Sequence, residues 1–141
     1  MPPSFTKTVL LLHTRPDGSS HFDWLIDWPG ALQEDGLLLT FRLAEFLPSL
    51  PIAAKLSATR LPDHRRLYLS YEGSISQNRG TVQRVAQGRS QLTQLPDSFR
   101  ILTLWDSFPV AQLWDASKSN SDPELWEFVS LTLPPSADIS S

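Results

Sequence analysis

The chain contains no cysteine. Neither disulfides nor thiolate ligands can stabilise it, and any bound metal must be held by imidazole, carboxylate or water. Zinc-finger chemistry is thereby excluded. Long apolar runs are missing as well. The longest aliphatic run near the start, Val9 to Leu12, is too short for a signal-peptide core or a membrane span, and no basic segment precedes it. A cytoplasmic protein with no membrane association is the expectation. Positive charge is in deficit, with a formal net charge of -3, which taken alone argues against a general nucleic-acid binder.

What is present is a core's worth of apolar residues. With 40% hydrophobic and 10% aromatic residues, 141 residues suffice for one domain with a proper core. The charge is unevenly spread. Residues 60 to 90 hold six arginines (60, 65, 66, 79, 84 and 89) against Asp63 and Glu72, a local balance of +4. The last 51 residues hold Arg100 and Lys118 against seven acids, a balance of -5. An arginine-rich stretch of this kind is either a solvated face or an anion-binding surface.

Twelve prolines and six glycines divide the sequence into short segments that alternate with period two more often than with helical spacing. The pattern predicts a mainly β fold, a small closed or partly open barrel of about eight strands with one or two short helices. Strands are predicted over Lys7–His13, His21–Trp28, Gly36–Leu43, Ala53–Arg60, Leu67–Glu72, Thr81–Ala86, Phe99–Trp105 and Leu125–Leu133. Helical turns are placed at Ala44–Leu50 and Ala111–Lys118, and residues 1–133 form the domain, with 134–141 as a flexible tail. Trp24, Trp28, Trp105, Trp114 and Trp126 fall within apolar alternation and are expected in the core rather than as base-stacking platforms.

Two segments carry chemistry. In HTRPDGSSHFDW (residues 13–24) a Pro-Asp-Gly turn joins two strand patterns, so His13 and His21 should face one another at the mouth of a hairpin. Alternation along HFDWLIDW sends Phe22, Trp24, Ile26 and Trp28 to one face and His21, Asp23, Leu25 and Asp27 to the other. His13, His21 and Asp23 can then converge on one divalent ion, Mn, Fe or Zn, with coordination positions left open. The other reading of the same residues is a polar loop tip whose histidines only hydrogen-bond. In DHRRLYLSYEG (residues 63–73) a strand would place His64, Arg66, Tyr68, Ser70 and Glu72 on one face and Leu67, Leu69 and Tyr71 on the other. An imidazole, a guanidinium and a phenol together suit phosphate binding and the charge that develops as a P–O bond breaks. An ordinary exposed strand face fits the same pattern.

These residues resemble a known family. HTRPDGSSHFDW is similar to the metal-binding motif of the 3′-phosphoesterase domain of bacterial ATP-dependent DNA ligase D. LSATRLPDHRRLYLSYEGSI is similar to that family's Asp-His segment, with Tyr four residues after the His and then an aromatic-Glu-Gly turn; Gly80-Thr81-Val82 matches a further motif. The likeness spans roughly residues 9 to 90. It implies a compact β-barrel with a manganese-dependent activity (zinc being the alternative ion) that trims 3′-ribonucleotides and 3′-phosphates in DNA repair and end joining. It also implies nucleic-acid 3′ ends as the partner, with a DNA ligase or other repair proteins as further partners. On this resemblance His13, His21 and Asp23 are the metal ligands, and His64 and Tyr68 contact the phosphate and assist its hydrolysis.

The sequence also departs from the family. The family carries an arginine two residues after the metal-binding Asp, where this chain has Leu25. Arg66 stands where the family is usually apolar, and on the strand reading it is expected to replace the lost phosphate clamp. The departure at Leu25 favours a second reading, a non-catalytic barrel that binds nucleic-acid ends or proteins. A cupin-like metal oxygenase or isomerase, which also uses two His and a carboxylate on strands, is a third.

Overall fold

A computed structural model describes residues 4–29, 37–108 and 111–133. They form an antiparallel barrel. The strands are β1 (Phe5–Thr14), β2 (Ser20–Ile26), β3 (Leu37–Leu43), β4 (Lys55–Arg65), β5 (Gly73–Ser74), β6 (Thr81–Gln94), β7 (Ser98–Trp105), β8 (Ala111–Lys118) and β9 (Leu125–Leu131). The order β1-β2-β3-β4-β9-β8-β7-β6 closes on itself through β1–β6 pairing, and the two-residue β5 lies outside, beside β6. Closure removes the open edges that an eight-stranded sheet would otherwise expose. The described residues contain no helix long and apolar enough to cross a membrane.

The predicted barrel is present, but the short helices are not. Within Ala44–Leu50 only Leu47–Ser49 coil, as a 3-10 turn, and Ala111–Lys118 is strand β8. The predicted strand at Leu67–Glu72 is likewise absent: β4 runs on to Arg65, and the chain then coils into a second 3-10 turn over Arg66–Leu69. The amides of Ser70 and Tyr71 both donate to the Leu67 carbonyl, at 3.2 and 3.0 Å, which holds the backbone in a turn rather than a ladder. The predicted tail at 134–141 lies outside the described residues, as does Gly36.

Alternation along the strands sorts the apolar residues into two clusters on opposite sides of the sheet. The larger fills the barrel and includes Leu10, Trp24, Phe41, Phe99, Trp114 and Phe128, each at most 2% exposed. All five tryptophans are buried there, as expected. The smaller cluster lies on the outer face, where Val9, Leu11, Leu25, Leu38 and Val82 are covered by Leu69 of the 3-10 turn, with Tyr68, Tyr71 and Ile75 packed against them. Residues 66–75 thus form a flap on the barrel wall, held by apolar burial along 68–71 and, at its far end, by the short pairing of β5 with β6. The polar end of that same outer stripe carries His13, His21 and Asp23, the candidate metal ligands.

Candidate metal centre and anion groove

The β1–β2 hairpin has the expected register, with His13 opposite His21 and Leu11 opposite Asp23. Its turn is closed by the Arg15 amide donating to Ser19 O and the Gly18 amide to Arg15 O, with Gly18 at φ +89°. The Asp17 carboxylate accepts from both the hydroxyl and the amide of Ser19, and these bonds hold its pKa below the usual carboxylate value. A depressed pKa stabilises the fold above the unfolded-state pKa, so this support for the turn is lost as pH falls through the folded-state pKa.

His13, His21 and Asp23 come together on the outer face. Their ligand atoms lie within 4.8 Å of one another, and the group could hold a metal ion. His13 Nδ1 is 3.1 Å from His21 Nε2 and 3.6 Å from Asp23 Oδ2, and His21 Nε2 is 3.1 Å from Asp23 Oδ1. Three ligands bound to one ion at about 2.1 Å would be separated by about 3.0–3.4 Å, so the side chains stand close to coordinating positions. Two further observations fit an ion. The buried Asp23 Oδ1, although within ion-pair distance of His21, has no hydrogen-bond partner. His13 Nε2 lies 2.8 Å from the Arg79 carbonyl, which can only accept. His13 Nε2 therefore carries the donated proton, and in the neutral tautomer this leaves the Nδ1 lone pair facing the cluster, an arrangement typical of metal-binding histidines.

Gly80 makes that contact possible. Its φ is +95°, and a Cβ at this position would lie 1.9 Å from the Thr14 carbonyl oxygen. The loop before β6 can approach the hairpin closely enough for Arg79 to reach His13 because residue 80 has no side chain.

The cluster opens into a groove of about 510 Å³ between the outer barrel wall and the flap, lined by His13 and Asp23 together with Arg42, His64, Arg65, Tyr68 and Arg79. The imidazoles of His13 and His64 and the carboxylate of Asp23 therefore share one pocket. His21, 8% exposed, sits behind them in the cluster. His64 Nδ1 is 3.0 Å from the Pro62 carbonyl and so donates to it, leaving Nε2 available. The His64 and Tyr68 rings stand 5.8 Å apart. Tyr71 donates to the Ser74 carbonyl, which ties down the turn beyond them.

Arg66 is not where the strand reading placed it. With residues 66–69 in a 3-10 turn the expected shared face does not exist, and Arg66 pairs with buried Asp27 instead of lining the groove. Ser70 and Glu72 are also outside the groove, Glu72 facing Arg84 on β6 at 3.9 Å. Of the six arginines in residues 60–90, Arg65 and Arg79 line the groove, while Arg60 lies over the rings of Phe99 and Trp126 and Arg89 over that of Phe5.

Arg66 is therefore expected to act on stability. Arg66→Ala removes one charged partner of a buried carboxylate and loosens the flap, and should lower stability by about 1–3 kcal/mol, measured by urea denaturation. Its affinity for inorganic phosphate should stay within about twofold of wild type.

Arg42 is the groove residue that sequence reasoning missed. It lies on β3 directly across from Asp23. In LLLTFRL it looks like any outward-facing charge on an amphipathic strand, and the only available signal was the pairing of β2 with β3 that brings it beside Asp23.

No protein-family model matches the chain, and no curated protein shows significant similarity to it.

Proposed function

We propose that the protein is a divalent-metal-dependent phosphoesterase, with manganese as its ion, that trims 3′-terminal phosphates and ribonucleotides from nucleic-acid ends. The observation that carries this reading is the opening of the His13–His21–Asp23 cluster into a groove whose other charged groups are largely cationic. Arg42, Arg65 and Arg79 line it, while its second carboxylate, Asp63, faces Arg60 at 3.8 Å. Such a groove attracts a polyanion despite the chain's overall negative charge. The likeness of residues 9–90 to the DNA ligase D phosphoesterase domain supplies the 3′-end specificity and the choice of ion, and with them a role in end repair beside a ligase or other repair proteins.

A bound divalent ion would supply Lewis-acid polarisation of the phosphate. The chain's own groups do the rest. His64 Nε2, left available by the Nδ1 bond to Pro62, exchanges the proton that passes from attacking water to the departing oxygen. The Tyr68 phenol donates to a non-bridging oxygen, and exposed Arg65 and Arg79 draw in the backbone.

The test is a primer-template ending in a 3′-phosphate or a single 3′-ribonucleotide, incubated with and without Mn. Wild type should remove the end group only with metal, and His21→Ala should lose at least about 100-fold of that rate. No trimming by wild type with any divalent metal overturns the reading in favour of a non-catalytic, end-binding barrel. One observation favours that second reading: Leu25 is fully buried beneath the flap, so β2 contributes no cation to the groove.

A further inference from the structure

We propose that Arg42 is the residue that grips a terminal phosphate in the groove, taking over from β3 the task that β2 cannot perform with leucine at position 25. The inference rests on the phosphoesterase reading for the identity of the anion. It rests on three structural observations for the residue.

First, Arg42 lines the groove and is the cross-strand partner of Asp23, so its guanidinium and the metal-binding group rise from neighbouring positions on the same outer wall. Both strands are rigid parts of the barrel, which makes this position better fixed than any on the flap.

Second, Arg42 is partly buried and has no carboxylate partner among the described residues, and its Nε is shielded from solvent without a hydrogen bond. A guanidinium is a permanent cation with five donors in a rigid fork, and removing such a donor from water without a partner is costly. The cost is offset when an anion enters the groove. A phosphate, with several oxygens spaced to accept two parallel N–H bonds, matches that fork.

Third, neighbouring cations have other attachments. Arg66 is held by Asp27, Arg84 faces Glu72, and Arg60 faces Asp63. Arg79 donates through Nε to the Ser76 carbonyl at 2.9 Å, and its Nη2 is 3.3 Å from the Ser76 hydroxyl. Arg65 is exposed at the rim. Arg42 combines shielding from water, a fixed backbone and an unused donor.

The assignment is tested by fluorescence anisotropy with a 3′-phosphorylated oligodeoxynucleotide and its 3′-hydroxyl twin, in chelator so that nothing is cleaved. Wild type should prefer the phosphorylated strand by about 10- to 100-fold, the range for a charge-assisted bidentate contact. Arg42→Gln should reduce the preference to within about twofold while binding the hydroxyl twin as wild type does, and Arg42→Lys should keep part of it. Arg66→Gln should keep all of it. Unchanged near-ultraviolet dichroism and unchanged Mn affinity in Arg42→Gln would show that fold and metal site are intact. Absence of a preference in wild type, or a full preference in Arg42→Gln, overturns the assignment. The two proposals fail separately. A preference that depends on Arg42, without Mn-dependent trimming, removes the esterase and leaves the phosphate grip. Trimming unaffected by Arg42→Gln does the reverse.

Discussion

Asp23→Asn should lower Mn affinity by at least about 100-fold and abolish the thermal stabilisation that the metal gives wild type. The asparagine has the same shape but replaces an anionic oxygen ligand with a neutral amide. The two imidazoles that remain lie 3.1 Å apart across the hairpin, and among the described residues only His13 of the two has a bond to a backbone carbonyl, at 2.8 Å, that orients its ring. Two neutral ligands hold a hard divalent ion far less well than two with a carboxylate. In wild type, free metal at a hundred times its dissociation constant should stabilise the fold by about 2.7 kcal/mol, or roughly 10 °C for a domain of this size. Differential scanning fluorimetry of both proteins over a Mn series reads this directly and requires no substrate. A wild-type melting temperature that does not respond to Mn, Zn or Fe(II) would remove the metal centre.

The second large effect is far from the groove. Gln112→Leu should destabilise the protein by about 4 kcal/mol and lower its melting temperature by about 10–15 °C. Gln112 is 3% exposed in the barrel interior, and its side-chain amide is completely used. Its Oε1 accepts from the indole N–H groups of Trp105 at 2.8 Å and Trp114 at 3.1 Å, and its Nε2 donates to the carbonyls of Leu47 at 2.8 Å and Leu50 at 3.1 Å. One amide thus satisfies two buried tryptophans and fixes the 3-10 turn at Leu47–Ser49 against β8. Leucine has nearly the same volume but strands the two indole donors and the Leu50 carbonyl in an apolar interior, while the Leu47 carbonyl keeps the Leu50 amide at 3.1 Å, and each stranded group costs about 1–3 kcal/mol less whatever water can reach it. A melting temperature within 3 °C of wild type would show that the network contributes little.

The same Gln112 explains one failure of sequence reasoning. In AQLWDASK the inward positions of β8 are Gln112, Trp114 and Ala116, a polar, a large and a small residue, and this does not look like the apolar half of an alternating strand. The polar residue is inside because its partners come from elsewhere in the chain. At Leu67–Glu72 the opposite happened: the alternation was regular, yet β4 had used its pairing with β3 by Leu37↔Arg65, and the chain turned over the wall to cover Leu25 and Leu38. Leu67, which the strand reading would bury with Leu69, is 48% exposed.

What was legible depended on local contacts. A turn sequence with Gly18 fixes a hairpin register, and the register alone brings His13 to His21. That His64 and Tyr68 reach the same groove, and that Arg66 does not, depends on the flap, whose path is set by distant packing. Arg42 was hidden for a related reason, since the pairing of β2 with β3 carries it to Asp23 across an intervening stretch of chain that no local pattern bridges.

The closure of the barrel has a consequence for how the protein is made. The β1–β2 hairpin is local and can form as soon as residue 26 is available, but β4 pairs with β9, Lys55 opposite Val129. On a ribosome adding about 5–20 residues per second, the outer edge of β4 waits several seconds for its neighbour. During that interval a four-stranded ribbon with a bare edge is exposed to other nascent chains, and the final zipping must cross a long sequence separation, so folding in milliseconds to seconds is expected rather than in microseconds. Birth, rather than the mature state, is when this molecule is most open to aggregation.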